Sequence, residues 1–243
     1  MNKTSICDYS DFDYNTEFWT DKNREYEYRL EQILIKNILK KHAKNRQSIC
    51  DAGCGFGRLV TSYNHIFKEC HLVDYAENLL NEAKRDHGDN NGIFFYKQSL
   101  YDLNLPFLMD AIISIRTLHH LDNIDELLDN FSKNLNNDGI LIVDIPNHYH
   151  IKNRIKRPLI AKKNKVKLSK SYFNYDPEFI IRKLKTHGFI ILETTQVGLF
   201  RIDWIKRMFP HGMLISIEMI INRLLSSINI GPSVYVVAKK KCG

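Results

Sequence analysis

Apolar and polar residues along this chain follow two rhythms. Short apolar runs at Ser48 to Cys50, Cys70 to Asp74, Ile93 to Lys97, Asp110 to Ile115 and Ile140 to Ile145 predict buried strands. Between and before them, apolar residues recur at intervals of three and four. From Asp21 to Lys41 they are Tyr26, Leu30, Ile33, Leu34 and Ile38. Helices are predicted there and at Gly57 to Phe67, Ala76 to His87 and Ile124 to Leu135, with a turn at Asn136 to Gly139. Strands that alternate with helices imply a parallel sheet covered by helices on both faces, an α/β fold.

The last third breaks this alternation. Residues 146 to 171 show little periodicity. A helix is predicted from Asp176 to His187, because Asp176-Pro177-Glu178 suits a helix start and Gly188 a helix stop. Strands at Phe189 to Thr195 and Ser233 to Ala238 flank an excursion from about Gly198 to Pro232. The first 20 or so residues are polar, acidic and aromatic (Tyr9, Phe12, Tyr14, Phe18, Trp19), as in an arm that docks by its rings. There is no internal repeat. The expected organisation is one domain over 1–243, with an N-terminal arm and lid helix (1–45), a basic insertion (146–176) and an amphipathic helical insertion (198–232).

Composition narrows the partners. A chain of 243 residues holds one α/β domain with a full core. Its formal charge of +7 and pI near 9.0 suit an anionic partner, whether nucleic acid, a phosphorylated substrate or a membrane surface. Residues 146 to 171 contribute nine basic side chains and no acidic one. The five cysteines (Cys7, Cys50, Cys54, Cys70, Cys242) have no paired CxxC spacing, so neither a disulfide framework nor a metal site is expected. The N-terminus lacks the apolar core of a signal peptide, and no apolar run approaches the ~20 residues of a membrane span. A cytoplasmic chain, soluble or peripherally bound to a membrane, is expected.

The chain is organised around Ile49-Cys50-Asp51-Ala52-Gly53-Cys54-Gly55-Phe56-Gly57-Arg58, the end of a strand, a glycine turn and a helix start. Glycines at alternate positions let a ligand press against the backbone. The dinucleotide fingerprint is disfavoured because Arg58 stands where G-x-G-x-x-G needs its last glycine. The phosphate-cradling loop is disfavoured because Gly57-Arg58-Leu59 lacks Lys followed by Ser or Thr.

The stretch does resemble motif I of the class I S-adenosylmethionine-dependent methyltransferases, small-molecule type, in which an acidic residue precedes G-x-G-x-G. The resemblance covers most of residues 20 to 240 and is weakest in the two insertions. It implies a Rossmann-like seven-stranded sheet whose last strand is antiparallel and lies between the fifth and sixth. It also implies S-adenosyl-L-methionine as cofactor.

In an open α/β sheet, ligands sit beyond the carboxyl ends of the strands, where the strand order reverses. By resemblance, Asp74 accepts the ribose hydroxyls, unless it is only a solvated strand end, and Tyr75 lies against adenine. Asp51, Ala52, Gly53 and Gly55 form the turn, with Asp51 ordering water or the methionyl ammonium. Ser99 and Leu100 follow the third strand; Ser99 replaces the Asp found in many relatives, while the Leu100 amide remains able to read the ring. Ile115 and Arg116 face the methionyl part. Arg24-Glu25-Tyr26-Glu27 resembles an R-x-Y-E element that closes over the cofactor carboxylate; otherwise Tyr26 packs its helix.

Ile115-Arg116-Thr117-Leu118-His119-His120-Leu121 resembles the V-L-H-H-L stretch of small-molecule members. His119 or His120 is placed to take a proton from the acceptor, or the pair packs and caps the next helix. Tyr149, Tyr172 and Tyr175 are candidate pocket residues. Relatives that act on a flipped base carry an Asn/Asp-Pro-Pro-Tyr/Phe element where Arg116-Thr117-Leu118-His119 stands, which disfavours nucleic acid.

In the second insertion, Phe200, Trp204 and Met208 share a helical face, and Met213 to Ile228 is apolar around most of its circumference. Such helices roof an apolar pocket or lie on an anionic membrane. The function expected is methyl transfer to an O, N or C atom of a small, partly apolar metabolite. Two alternatives stay open: methylation of tRNA or another nucleic acid through the basic insertion, and a non-catalytic cofactor-binding partner subunit.

Overall fold

A computed structural model describes residues 24–147, 165–169, 172–224 and 231–241, with backbone only at 165–169 and 172. Strand β1 (Ser48–Ala52) is buried along its whole length. A strand covered on both faces reads as an unbroken apolar run, which is why Ser48 to Cys50 stands out in the sequence. It pairs in parallel with β2 (Glu69–Asp74) on one side and β4 (Met109–Ser114) on the other. Outside these lie β3 (Ile93–Lys97), parallel to β2, and β5 (Leu135–Pro146), parallel to β4.

Strand β9 (Ser233–Lys240) runs antiparallel to both β5 and β8 (Phe189–Val197), so the order is β3-β2-β1-β4-β5-β9-β8. This is the expected arrangement, with the last strand inserted between the fifth and the sixth. The order reverses between β1 and β4, and a crevice opens there.

Successive residues of each strand face opposite sides, which divides the core in two. Ile113, Ile142 and Val237 pack under α1 (Glu25–His42) with its Leu30, Leu34, Ile35 and Ile38. Ile112, Val143 and Val236 pack under α4 (Ile124–Asn134) and α5 (Pro177–Thr186) through Leu127, Phe131, Ile180 and Leu184. The Asn123 side chain accepts the Glu126 N–H and caps α4, and Pro177 opens α5, where its missing N–H costs nothing.

Local structure departs from expectation in several places. The helix expected from Gly57 to Phe67 is only α2 (Val60–Tyr63), because Gly57 at φ +78° cannot begin a right-handed helix. Strand β5 starts at Leu135, ahead of the expected turn, and Asn136 to Gly139 survives as an irregularity. The register shifts between Met109 and Ala111, and Asp138 takes φ +62°. Part of the basic insertion is a hairpin, β6 (Lys165–Ser169) with β7 (Tyr172–Tyr175).

The second insertion contains α6 (Asp203–Met208) and α7 (His211–Leu224). The N-terminal arm, most of the basic insertion and Tyr149 lie outside the described residues. Cys50, Cys54 and Cys70 are free and buried. Among the described residues no His/Cys/Asp/Glu group could hold a metal ion, and no helix is long and apolar enough to cross a membrane.

Candidate active site

A cleft of about 960 Å³, open mouth included, lies beyond the carboxyl ends of β1, β2 and β4. Its floor is the glycine turn. Gly53, Gly55 and Gly57 take φ of +85°, +54° and +78°, which side chains other than glycine's resist. The N–H groups of Gly53 and Cys54 both donate to the Val73 carbonyl, at 2.8 and 3.1 Å, and staple the turn to β2. A Cβ on Gly53 would stand 2.4 Å from the Thr117 hydroxyl oxygen. At Gly55 the nearest atom to such a Cβ is the Leu79 methyl at 4.0 Å, so the turn leaves room toward the cleft there.

Asp74 closes β2 at the cleft wall. Its Oδ2 accepts the Gly55 N–H at 2.7 Å, and its Oδ1 accepts the Ala76 N–H at 2.8 Å. Burial pushes its pKa up, against the N–H groups of Ala76, Gly55 and Tyr75. The carboxylate is thus locked in place, and each oxygen keeps a lone pair for a ligand hydroxyl.

Asp51, the penultimate residue of β1, lies beneath the turn and accepts the Tyr63 hydroxyl at 2.8 Å. Burial pushes this carboxyl up to about 7, with Tyr63 and Arg58 opposing and Asp74 adding repulsion. A cation placed here relieves that penalty. Tyr75, Leu79, Ser99 and Leu100 line the remainder of this side, an apolar slot for a flat ring. The Ser99 hydroxyl accepts the Tyr101 N–H at 3.2 Å and caps the short turn Leu100–Asp102.

The opposite side is cationic. Arg116, at φ +60°, follows β4 and lines the cleft with Ile115, Thr117 and Arg58. Its Nε and Nη2 donate to Glu31 Oε1 at 3.0 and 2.5 Å. Arg58 Nη2 lies 2.8 Å from Glu31 Oε2, and Arg201 Nη2 lies 3.8 Å from Oε1. Burial would push the Glu31 carboxyl up, but Arg116, Arg58 and Arg201 overcome it and hold its pKa at about 2. One carboxylate on α1 therefore ties together the glycine-turn arm, the β4 loop and the second insertion.

The two histidines divide. His120 lines the cleft, whereas His119 is buried behind it, with ring centroids 3.9 Å apart. Burial, with His120 and Arg116 adding positive charge, holds His119 far below its ordinary pKa and therefore neutral.

Besides His119 and Tyr149, four candidates lie away from the cleft lining or cannot be located in it. Tyr26, expected over the cofactor carboxylate, is fully buried and donates its hydroxyl to Glu218 of α7, because the second insertion covers that face of α1. Ala52 is buried inside β1, and its carbonyl accepts the Ser114 hydroxyl at 2.9 Å. Tyr175 is buried and donates to the Leu121 carbonyl at 2.5 Å, so it braces the wall from behind. Tyr172 sits on β7, with its side chain outside the described set.

Sequence reasoning did not select Cys54, Phe56, Arg58, Leu59, Leu79, Thr117 and Leu121, which complete the lining. Arg58 had a signal, since it directly follows the last glycine. Glu31 had none, because its partners are distant in sequence.

Residues 50–143 match the family described as "Methyltransferase domain". The chain is 27% identical over 175 residues to a malonyl-[acyl-carrier protein] O-methyltransferase of Bacillus cereus, a match that covers 68% of this chain and 65% of that protein. The chain spans less than two thirds of the length of the curated relatives it matches. Its fold is similar to that of an S-adenosylmethionine-dependent methyltransferase from Clostridium acetobutylicum, with a TM-score of 0.63 at 15% identity over 94% of this chain and 96% of the other. It is also similar to magnesium protoporphyrin IX methyltransferase from Synechocystis with bound S-adenosylhomocysteine, with a TM-score of 0.61 at 15% identity over 91% and 88%.

Proposed function

We propose that this chain, which belongs to the class I S-adenosylmethionine-dependent methyltransferases, transfers a methyl group to an O, N or C atom of a small, partly apolar acceptor. The observation that carries the reading is Asp74, held by the N–H groups of Gly55 and Ala76 at the rim of a positive-φ glycine turn where the strand order reverses. A turn that leaves space above Gly55, with a locked carboxylate beside it, fits a nucleoside with its ribose on Asp74.

Each residue then has a task. Asp74 takes the ribose hydroxyls, and Leu79 and Leu100 sandwich the adenine while Tyr75 covers it at the mouth. Asp51 neutralises the methionyl ammonium and loses its desolvation penalty in doing so. The backbone at Ile115 and Arg116 faces the methionyl part, while the Arg58 and Arg116 guanidinium groups stay on Glu31.

S-adenosylmethionine held by Asp74, the glycine turn and Asp51 would supply a sulfonium methyl for in-line displacement by an acceptor lone pair, with the C–S electron pair leaving on the thioether sulfur. Since positive charge disappears from sulfur, the protein needs no covalent intermediate. Its contribution is to hold the two reactants in register in a dry cleft, a source of several kcal/mol. His120, the histidine on the lining, is the residue placed to take a proton where the acceptor must lose one; His119 behind it packs.

Two features support a small acceptor. Arg116 to His119 occupies the place of a base-reading element, and Arg116 is committed to Glu31 instead of standing free for phosphate. The named activities of the relatives also concern an acyl carrier's malonyl group and a porphyrin.

The test is transfer of a labelled methyl from S-adenosylmethionine to fractionated metabolites, with Asp74→Ala as control. Label in a small acceptor, lost in the variant, supports the proposal. Label that appears only in RNA, in a salt-sensitive manner, replaces it with the nucleic-acid reading.

A further inference from the structure

Helix α7 turns two polar residues, Glu218 and Asn222, toward the protein and leaves a stripe of apolar ones outside. Glu218 is 0% exposed; it accepts the N–H groups of Gly198 and Leu199 at 2.7 and 3.0 Å and the Tyr26 hydroxyl. Asn222 is buried and donates to the Gln196 carbonyl at 2.8 Å. These bonds, with Leu214 and Ile215, fix which way the helix faces.

On the other side, Met213, Ile217, Ile220 and Leu224 follow the spacing of one helical stripe, and Ile220 and Leu224 are 57% and 77% exposed. Helix α6 extends the patch with Trp204 and Met208, 60% and 66% exposed, and Phe209 adjoins them. Helix α6 is itself anchored, since Lys206 turns inward to Glu27 at 3.2 Å. Seven large apolar side chains exposed on two successive helices and in the link between them leave apolar surface in water, and such surface marks interaction sites.

We propose that this α6–α7 face docks on an anionic lipid surface. Charge selects that occupant. The exposed charges set among the apolar residues include Arg207 and Arg223, and α7 exposes no acidic side chain. Asp203, exposed at the start of α6 and 3.4 Å from Lys206, is the one exposed acidic residue of these two helices, against the two exposed arginines. A second copy of the chain would bring like charges together, whereas anionic headgroups neutralise them. The formal charge of +7 acts in the same sense over longer range. With no described helix able to cross a membrane, α7 lies in the plane of the interface. Trp204 then sits at headgroup depth, where indole is favoured.

Vesicle flotation of the full chain tests this. It uses phosphatidylcholine vesicles, alone and mixed with phosphatidylglycerol. The comparison is between wild type, Ile220→Gln with Leu224→Gln, and Arg207→Ala with Arg223→Ala. In a Trp19→Phe background Trp204 is the only tryptophan and reports burial by a blue shift. The wild type is expected to float with mixed vesicles and shift its emission. The apolar double variant should lose about tenfold in partitioning with its melting temperature unchanged, and the arginine pair about fivefold for each charge.

Three results overturn the proposal. One is a wild type that stays in solution with both vesicles. Another is binding that survives the apolar double variant, which would assign it to the basic stretch. The last is a wild-type dimer that the apolar double variant dissociates, which would make this face an interface between copies.

Discussion

Replacing Glu31 by glutamine removes the one carboxylate that three arginines share, while it keeps the shape and an acceptor oxygen. Glu31 is buried, and so is Arg58; Arg116 is nearly so. Depression of the Glu31 carboxyl from an ordinary 4.5 to about 2 corresponds to roughly 3 kcal/mol at ~1.4 kcal/mol per pH unit. Loss of one partner from a buried ion pair costs about 3–5 kcal/mol, so the two figures agree.

For a chain of this size each kcal/mol moves the melting temperature by roughly 2–4 °C. Glu31→Gln should therefore melt roughly 6–12 °C lower at neutral pH. The sign with pH follows from a depressed carboxylate. Its stabilisation is present above the unfolded pKa and is lost as pH falls through the folded one, so the gap between variant and wild type should close between about pH 4.5 and 2. Differential scanning fluorimetry across pH measures this. A variant that melts with the wild type at neutral pH would refute the view that Glu31 is the keystone between α1, the glycine-turn arm and the β4 loop.

Further outcomes follow from the same geometry. Asp51, raised to about 7 in the ligand-free protein, should ionise fully when an ammonium arrives, so S-adenosylhomocysteine should bind roughly tenfold more tightly at pH 8 than at pH 6. Isothermal titration of Asp51→Asn should show that dependence flattened. The sign for stability is opposite to that of Glu31: a raised carboxyl stabilises fully below its unfolded pKa, and this contribution is lost as pH rises through about 7. Asp51→Asn should thus melt above the wild type at pH 8 and lose that advantage in acid, as scanning fluorimetry would show. Gly55→Ala should weaken cofactor binding with a melting loss limited to strain at φ +54°. Gly53→Ala, whose Cβ meets Thr117, should lose stability as well, and paired fluorimetry and titration separate the two.

What could be seen in the sequence was what neighbouring residues decide. The glycine turn and Asp74 act through contacts along the chain or to an adjacent strand, and the β-α alternation leaves few sheet orders open. Tyr26 shows the opposite case. Arg24 to Glu27 carries a pattern seen over cofactors, yet what faces Tyr26 is Glu218, supplied by an insertion whose packing no local pattern announces. Glu31 likewise meets Arg58, Arg116 and Arg201 only after the fold forms. The hairpin β6–β7 did have a local signal, the polar-apolar alternation of Lys165-Val166-Lys167-Leu168, which the run of cations obscured. The inward turn of Glu218 and Asn222 on α7 was hidden because both count as polar, hence outward, in a periodicity argument.

The central claim is that Asp74 and the glycine turn hold a nucleoside sulfonium cofactor, and calorimetric titration with S-adenosylhomocysteine tests it most directly. The account predicts micromolar binding by the wild type, weakened in Asp74→Ala by ~1.5–3 kcal/mol, the scale of hydrogen bonds to a charged group, while the variant still unfolds cooperatively. Absence of binding by the folded wild type, or equal affinity in Asp74→Ala, would contradict it.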